Sequence, residues 1–378
     1  MTIRIALTGG GTGGHLYPLL AVADELKYAA GPNLRLSYFG PRNEMTEEFE
    51  MRDIAIYPIA PSKLRRYFDV RNIIDIPKFF FGIIQALFKL YSEMPNVIFS
   101  KGGPGALPVI IAAKWYMIPI VIHESDSVPS LTTRLSAKFA KKILVSFKET
   151  AAYFPPSKTI VVGNPIRREF IDGYGDTAQL KQFTNLNPNL PNILVLGGSQ
   201  GSVRINTFIL DSLRSFLPEM QITHQVGTAN FDEMQALIKP SLKELDGPLQ
   251  ARYHQFAYLT PQRLKESLGA ADIIISRAGA GTIFEIAAAQ KPAILIPLEG
   301  SANDHQRSNA YVYAGTGAAT VVEESNLTTN LVLSLIHSML KDENMQMRAK
   351  IAAKNFFKPA AAKNTAEEIL QLVKGFSR

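Results

Sequence analysis

The chain has 378 residues, of which 46% are hydrophobic and 19% are charged, values typical of a folded globular protein. This length exceeds one ordinary core and favours two domains of nearly equal size. The chain has no cysteine, which excludes disulfides, thiol nucleophiles and cysteine metal sites. The net charge of +7 suits anionic partners, namely nucleic acid, anionic lipid or phosphorylated substrates.

The first apolar run, residues 3–7, leads into Gly-Gly-Gly-Thr-Gly-Gly-His at 9–15 and then into apolar residues at helical spacing. A strand that turns through glycines into a helix presents backbone N–H groups and the positive end of the helix dipole to an anion. The segment therefore predicts a diphosphate-binding loop, with Pro18 in the first turn of the helix. A triphosphate P-loop fits poorly because His15 stands where it needs Lys. The weaker alternatives are an NADP site that uses Arg42 and a tight turn without a ligand.

Short β-branched runs alternate with helical stretches, which predicts βαβ units and parallel sheets. The predicted strands are 3–7, 34–39, 97–100, 119–123, 143–146, 159–162, 193–196, 222–226, 273–276 and 293–296. A second glycine loop at 197–201 restarts the pattern. The sequence thus predicts an α/β protein with two Rossmann-like, doubly wound parallel-sheet domains that face each other across a cleft. Their predicted limits are 1–163 and 164–356, with a C-terminal helix at about 357–378 packing back on the first.

Loops that follow the strands are the expected binding positions, because ligands of open parallel sheets lie beyond the carboxyl ends of the strands. These loops are 9–15, 100–105, 123–129, 197–201 and 276–285. The sequence has no carboxylate or His spacing typical of a metal site and no nucleophile elbow. We therefore expect no cofactor, and we expect N–H groups, helix dipoles and arginine to stabilise a leaving group.

Much of the positive charge lies in residues 62–91, where basic side chains are interleaved with aromatic and aliphatic ones. The basic residues are Lys63, Arg65, Arg66, Arg71, Lys78 and Lys89. This composition is typical of a membrane-surface helix rather than of a nucleic-acid platform. The alternative is a core helix whose basic residues form its solvated face. The chain starts directly with a strand and has no apolar run of bilayer length, so we expect it to stay in the cytoplasm.

Nine segments of the chain occur in the same order in a known family. They are 9–15, 101–103, 123–124, 162–167, 197–201, 277–279 with 285–289, and 304–306 with 309–310. In these segments the chain resembles the MurG-type UDP-N-acetylglucosamine transferases, which convert lipid I to lipid II in bacterial cell-wall synthesis. The resemblance implies the two-Rossmann architecture called GT-B, in which the first domain mainly binds the acceptor and the second mainly binds the UDP-sugar.

The resemblance also implies the substrate-binding residues. These are Thr12, Gly13 and Gly14 near the substrate diphosphates, Asp126 near the reaction centre, Arg167 and Ser199 near the donor pyrophosphate, Ala280, Gly281 and Thr282 around the nucleotide, Glu285 on the ribose hydroxyls, Gln306 on the donor sugar, and Ala257, Ile283 and Phe284. Taken alone, Ser199 is also a plausible N-cap, and Glu285 a residue that stabilises the helix dipole in a first turn.

The implied reaction is an inverting, metal-independent transfer in which the 4-hydroxyl of MurNAc in lipid I attacks the anomeric carbon of UDP-GlcNAc. A general base must take the hydroxyl proton. His15 is the first candidate because an imidazole titrates near neutral pH. Glu124 and Asp126 are the alternatives. The expected partners are UDP-GlcNAc, lipid I, an anionic membrane surface at the cytoplasmic face of the cell membrane, and cell-wall synthesis proteins, but not nucleic acid.

Three departures from the family pattern affect the expected contacts. His-Glu-Ser-Asp at 123–126 replaces the common His-Glu-Gln-Asn, Pro104 replaces a frequent tyrosine, and His305-Gln306 replaces a glutamine pair. Two other functions stay open. One is a GT-B enzyme that acts on another lipid such as diacylglycerol, and the other is a non-catalytic nucleotide-sugar-binding subunit of a membrane complex.

Overall fold

The computed structural model describes residues 2–43, 46–61, 72–198 and 200–373. The chain divides into two compact units. The first unit joins the residues up to Arg167 to the C-terminal segment that starts at Lys358, and the second unit spans Arg168–Phe357. The predicted limits at 163 and 356 lie close to these divisions.

A parallel sheet with helices on both faces forms the first unit. Its strands are β1 (Ile3–Thr8), β2 (Leu34–Gly40), β3 (Ala55–Pro58), β4 (Val97–Ser100), β5 (Ile120–Glu124), β6 (Lys142–Val145) and β7 (Thr159–Val161). Its first helices are α1 (Gly13–Ala30), α2 (Glu47–Glu50), α3 (Asn72–Glu93), α4 (Ala106–Trp115) and α5 (Leu131–Ala137). The strand order is β3-β2-β1-β4-β5-β6-β7. The central strands β1, β4 and β5 are mostly apolar because both faces of the sheet are covered.

The second unit repeats this plan. Its strands are β8 (Asn192–Leu196), β9 (Gln221–Gln225), β10 (Tyr253–Phe256), β11 (Ile273–Ser276), β12 (Ala293–Leu295) and β13 (Ala319–Val321). Its helices are α6 (Thr177–Phe183), α7 (Val203–Phe216), α8 (Phe231–Lys243), α9 (Gly247–Gln250), α10 (Pro261–Ala270), α11 (Ala280–Ala289), α12 (His305–Ala314), α13 (Thr329–Lys341) and α14 (Glu343–Phe356). The strand order is β10-β9-β8-β11-β12-β13, again fully parallel.

The last helix, α15 (Ala361–Leu370), belongs to the first unit and packs against α1. Ala366, Ile369 and Leu370 are buried in the same cluster as the apolar face of α1. Lys142 on β6 also forms an ion pair with Glu368. The end of the chain therefore completes the core of the unit in which the chain begins.

Two details differ from the sequence-based predictions. Strands β3, β10 and β13 were not predicted, and all three lie at sheet edges, where residues are mostly half-buried and the apolar signal is weak. The position predicted for Pro18 is wrong. Helix α1 already begins at Gly13, which makes Pro18 its sixth residue.

Helix α3 contains the described part of the basic, aromatic segment 62–91, whereas residues 62–71, with four of its basic residues, lie outside the described residues. Ala86 and Leu90 of α3 are buried, and the helix packs on α4. Six large apolar side chains are instead 52 to 74% exposed, namely Ile76, Phe80, Phe81, Ile84, Phe88 and Tyr91. The outer face of α3 is thus apolar. None of the helices in the described part of the chain is both long and apolar enough to cross a membrane.

Candidate active site

Each sheet reverses its strand order at one point, which lies between β1 and β4 in the first unit and between β8 and β11 in the second. Ligands of open α/β sheets bind outside the carboxyl ends of the strands at such points. The loops after these four strands, together with the turn after β5, contain most of the predicted site residues. Each unit therefore carries one candidate binding edge.

His15 lies between two glycine loops of the first unit. The hydroxyl of Thr12, the N-cap residue of α1, lies 2.9 Å from His15 Nδ1 and makes no capping hydrogen bond. A Cβ atom on Gly10 would lie 3.1 Å from His15 Nδ1, and one on Gly103 would lie 3.0 Å from Nε2. The imidazole is thus held by the loop after β1 and by the loop after β4, and it stays half-exposed.

The start of α1 has the features expected of an anion site. Gly13 and Gly14 form its first residues, and no side chain caps them. The preceding loop is held in place by Asn43, whose Nδ2 donates to Gly11 O at 2.6 Å, and by the Tyr38 hydroxyl, which donates to Gly9 O at 3.2 Å. Backbone N–H groups and the helix dipole at this end favour a bound phosphate.

Glu124 and Asp126 lie in the turn after β5. Glu124 is 5% exposed, and its two carboxylate oxygens accept the backbone N–H groups of Asp126 at 3.1 Å and Ser130 at 3.0 Å. Burial and the neighbouring Asp126 carboxylate raise the pKa of Glu124, while its hydrogen bonds to Thr133 and to the two N–H groups oppose that shift. Glu124 therefore shapes the turn, and Asp126 is the more exposed of the two carboxylates.

A buried polar cluster lies under this turn. Lys101, directly after β4, is 3% exposed, and its Nζ lies 2.7 Å from His123 Nδ1 and 3.3 Å from Asn164 Oδ1. It also donates to the hydroxyl of Ser125. Nε2 of His123 lies 2.9 Å from Gly163 O, so it donates there while Nδ1 accepts from Lys101. The cluster joins β4, β5 and the segment 163–164.

In the second unit, two glycines make a backbone contact. Gly201, after β8, and Gly227, after β9, have φ values of +78° and +93°. A Cβ on Gly201 would lie 2.2 Å from Val226 O and 2.9 Å from the Gly227 Cα. Only glycine fits there. Ser199, the predicted pyrophosphate ligand in this loop, lies outside the described residues.

Arg277, directly after β11, connects several loops of the second unit. Its Nη2 donates to the Ser202 hydroxyl at 2.6 Å, and its Nη1 lies 3.2 Å from the carbonyl oxygens of Ile296 and Pro297. Its guanidinium also forms an ion pair with Glu324. Ser202 in turn caps α7 by accepting from the N–H of Ile205. One buried cation thus joins the loops that follow β8, β11 and β12.

Helix α11 carries most of the predicted nucleotide-binding residues. It begins at Ala280 after Gly279, which provides no side-chain cap for the first-turn N–H groups. Gly281, Thr282 and Glu285 are half-buried. Ile283 and Phe284 are at most 1% exposed, so their side chains belong to the core and only their backbone faces remain for a ligand.

The remaining predicted residues occupy separate places. Gln306 accepts the N–H of Leu298 through Oε1 at 3.1 Å, which closes the loop before α12. Ala257 is half-buried and directly follows β10. The guanidinium of Arg167 lies 4.4 Å above the ring of Tyr17, against α1 of the first unit. Arg42, the residue of the NADP alternative, pairs with Glu50 at 3.0 Å.

Residues 5–145 match the model of the glycosyltransferase family 28 N-terminal domain, and residues 192–364 match the model of the C-terminal domain of that family. The chain belongs to glycosyltransferase family 28. Its prediction as a GT-B protein with two Rossmann-like domains is confirmed.

Relatives of this family-28 chain match almost its whole length. The UDP-N-acetylglucosamine–N-acetylmuramyl-(pentapeptide) pyrophosphoryl-undecaprenol N-acetylglucosamine transferase of Treponema denticola is 35% identical over 95% of this chain and 93% of its own length. The transferase of the same name from Clostridium perfringens is 35% identical over 98% of both chains. The crystal structure of Acinetobacter baumannii MurG has a TM-score of 0.72 at 25% identity, over 98% of this chain and 99% of its own. The predicted resemblance to MurG-type enzymes is confirmed.

Three structural contributors in this family-28 chain were not predicted: the buried cations Lys101 and Arg277, and Asn43 on the first glycine loop. Lys101 and Arg277 each stand directly after an apolar strand and next to a glycine or alanine. A basic residue directly after a buried strand is the sequence signal that was available. Within the described residues, no group of three or more His, Asp or Glu side chains is placed to hold a metal ion.

We expect Gly201→Ala to lower the free energy of unfolding by about 2 to 5 kcal/mol, because it adds a backbone collision to the cost of a positive φ. Gly317→Ala is the matched control. Gly317 has a φ of +88° and nothing within 4 Å of an added Cβ, so it should lose only about 1 to 2 kcal/mol. Urea unfolding followed by circular dichroism measures both. Equal losses in the two variants would contradict the role given to the contact between Gly201 and Gly227.

Proposed function

We propose that the chain transfers N-acetylglucosamine from UDP-GlcNAc to the 4-hydroxyl of MurNAc in lipid I, undecaprenyl-diphospho-MurNAc-pentapeptide, and so forms lipid II for peptidoglycan synthesis. The observation that carries the proposal is the likeness, over almost the whole chain, to transferases whose names state this donor and this acceptor. The two binding edges and their glycine loops supply the chemistry that such a transfer needs.

The first unit is proposed to hold the acceptor. The uncapped start of α1 at Gly13 and Gly14 suits the diphosphate of lipid I, with the hydroxyl of Thr12 beside it. His15 is half-exposed at the same loop, and an imidazole can accept a proton near neutral pH. Asp126 lies at the edge after β5 and remains the alternative base together with Glu124. The hydrogen bonds of both Glu124 oxygens favour His15 and Asp126 over it.

The second unit is proposed to hold the donor. The first-turn N–H groups of α11, at Ala280 to Thr282, suit the nucleotide diphosphate, since no side chain caps them. Glu285 lies about one turn further along α11, and a carboxylate accepts hydrogen bonds from two ribose hydroxyls. Arg167 and Ser199 are assigned to the pyrophosphate, and Gln306 to the sugar, on the family pattern. Ala257, Ile283 and Phe284 contribute surface or backbone contacts.

In the proposed reaction, the 4-hydroxyl oxygen of MurNAc forms a bond to the anomeric carbon of GlcNAc while the bond from that carbon to the diphosphate oxygen breaks. The base takes the hydroxyl proton, and the bond electrons leave with UDP. Attack opposite to the leaving group inverts the configuration. N–H groups and helix dipoles fixed before the reaction stabilise the growing negative charge on UDP without reorganisation.

A membrane-contact surface is proposed on the first unit. It comprises the exposed apolar residues of α3 and the end of α4, where Trp115 is 77% and Met117 is 85% exposed. The ring of Tyr91 on α3 lies 6.3 Å from that of Tyr116, so the two regions adjoin. Exposed Lys78 and Lys114 flank them. Apolar insertion together with lysine attraction to anionic lipid would hold the enzyme peripherally on the cytoplasmic face. Contacts with other cell-wall synthesis proteins remain an expectation.

The proposed function is tested with the purified chain, radiolabelled UDP-GlcNAc and three acceptors offered separately. We expect label to enter lipid I, and not diacylglycerol. A lipid-free MurNAc diphosphate acceptor should also react, but more slowly than lipid I at the same total concentration. Transfer to diacylglycerol alone would support a GT-B enzyme that acts on another lipid. Absence of any turnover despite UDP binding would support a non-catalytic nucleotide-sugar-binding subunit.

We expect His15→Ala to lower turnover about a hundred- to ten-thousandfold, the usual effect of losing a general base. Binding of UDP, measured by calorimetry, should stay unchanged because His15 belongs to the acceptor edge. Glu285→Ala is the opposite control. Loss of a charged hydrogen bond of about 1.5 to 3 kcal/mol should weaken UDP binding about ten- to a hundredfold. Near-normal turnover of His15→Ala would assign the base to Asp126 or Glu124.

We expect the double variant Phe80→Ser, Phe88→Ser to bind anionic vesicles less tightly, because it removes two of the most exposed apolar side chains of α3. Transfer to full-length lipid I in vesicles should slow, while a short-chain soluble acceptor is used almost normally. Phe183→Ser is the matched control, since Phe183 is 70% exposed but lies on α6 of the second unit. Unaltered sedimentation with vesicles, or an equal loss with both acceptors, would refute the membrane-contact surface.

A further inference from the structure

We propose that Lys101 is a positioning residue for the acceptor side of the reaction, because its buried ammonium group holds the turn that carries Asp126. The inference rests on the proposed function and goes beyond it. Lys101 is 3% exposed, and its ammonium group is directed to acceptors of the protein itself. It acts through the residues that it contacts.

The hydrogen-bond geometry fits one protonation pattern. An ammonium group has three protons, and Nζ of Lys101 has three acceptors in the cluster, Nδ1 of His123, Oγ of Ser125 and Oδ1 of Asn164. His123 accepts through Nδ1 and donates through Nε2 to Gly163 O. Burial and the nearby ammonium group both lower the pKa of His123, which keeps its ring neutral. The hydroxyl of Ser125 donates onward to Oδ1 of Asn164, 3.3 Å away.

The charge of Lys101 is balanced by the carboxylates of the same turn. Burial lowers the pKa of Lys101 to about 7, while attraction to Glu124 and Asp126 opposes that shift. The other titratable group of the cluster is His123. Among the described residues of the adjacent glycine loop, His15 is also near, since a Cβ on Gly9 would lie 3.6 Å from the Cβ of Lys101 and 3.7 Å from that of His15. The segment 163–164 adds the uncharged Asn164. The charged form of Lys101 therefore depends on the turn, and the turn depends on it.

A purely structural role explains this arrangement poorly. A buried ion costs several kcal/mol of desolvation, and well-packed apolar residues commonly stabilise a core as well or better. What an ammonium group adds is a fixed direction for three acceptors that come from two segments, the end of β5 with its turn and residues 163–164. Since an error of about 1 Å in a reacting group costs about a hundredfold in rate, a fixed turn at Asp126 matters for transfer rather than for folding.

The decisive experiment compares Lys101→Met and Lys101→Arg with the wild type in the lipid I assay. Lys101→Met should lower kcat/KM for the acceptor about ten- to a hundredfold, with the KM for UDP-GlcNAc and the UDP affinity unchanged. Lys138→Met, at an exposed lysine after α5, is the matched control and should behave as wild type. Circular dichroism and thermal unfolding show that each variant is folded.

The pH profile separates positioning from mere packing. In the wild type, kcat/KM for the acceptor should fall as the pH rises through about 7, because Lys101 loses its proton. In Lys101→Arg this fall should move to higher pH, since a guanidinium stays charged there. In Lys101→Met, which lacks the titrating group, the fall in kcat/KM above about pH 7 should be absent. Should the larger Arg side chain prevent folding, Lys101→Met and Ser125→Ala decide the question, as Ser125→Ala removes one acceptor and should give a smaller loss.

A double variant tests the route through Asp126. If Lys101 acts by holding that residue, Lys101→Met should cause little further loss in an Asp126→Asn background, because coupled residues are not additive. Fully additive losses, or an unchanged pH profile in folded Lys101→Met, would overturn the inference while leaving the proposed function intact. Absence of transfer to lipid I by the wild type would instead refute the proposed function, and the inference with it.

Discussion

Close contact between glycine backbones is the constraint on which both candidate sites depend. In the first unit, a Cβ on Gly103 would lie 2.8 Å from the Cα of Gly10, and in the second unit Gly201 and Gly227 approach each other in the same way. In both places the two loops follow neighbouring strands of one parallel sheet. Because no side chain separates the loops of the first unit, backbone N–H groups and the uncapped start of α1 are available at its sheet edge.

Each of these edges also rests on one buried cation that follows an equivalent strand. Lys101 comes after β4 and Arg277 after β11, and these strands have the same place in the two sheet orders. Each side chain hydrogen-bonds to groups from other segments of its unit. The two cations differ in chemistry. A guanidinium is always charged, and Arg277 has the carboxylate of Glu324 beside it, whereas the charge of Lys101 depends on pH near neutrality.

The sequence predicts the sheet class, the repeat of the plan and most central strands, because β-branched runs followed by glycines are local signals. Strands β3, β10 and β13 escaped prediction, since an edge strand is partly solvated and its pattern resembles that of a loop. At the site, the glycine loops and the position of His15 beside the first of them can be predicted from the order of apolar runs and glycines in the sequence. The roles of Lys101 and Arg277 are not, because their burial and their partners depend on residues far away in the sequence. The pattern of the segment 62–91 allowed two interpretations, a membrane-surface helix and a core helix. The exposure of Phe80 and Phe88 on a packed helix, which the pattern does not give, favours the membrane-surface helix.

The return of α15 to α1 makes the first unit discontinuous in the chain, with the whole second unit inserted before its last helix. During synthesis from the N-terminus, all of Arg168–Phe357 is made before Ile369 and Leu370 are added. Until then, the apolar residues of α1 that these side chains cover have no partner from α15. Domains usually fold as units in the order of their synthesis. In this chain the first unit begins first and is completed last. The face of α1 that α15 covers is therefore exposed for longer, which gives it more time to form non-native contacts.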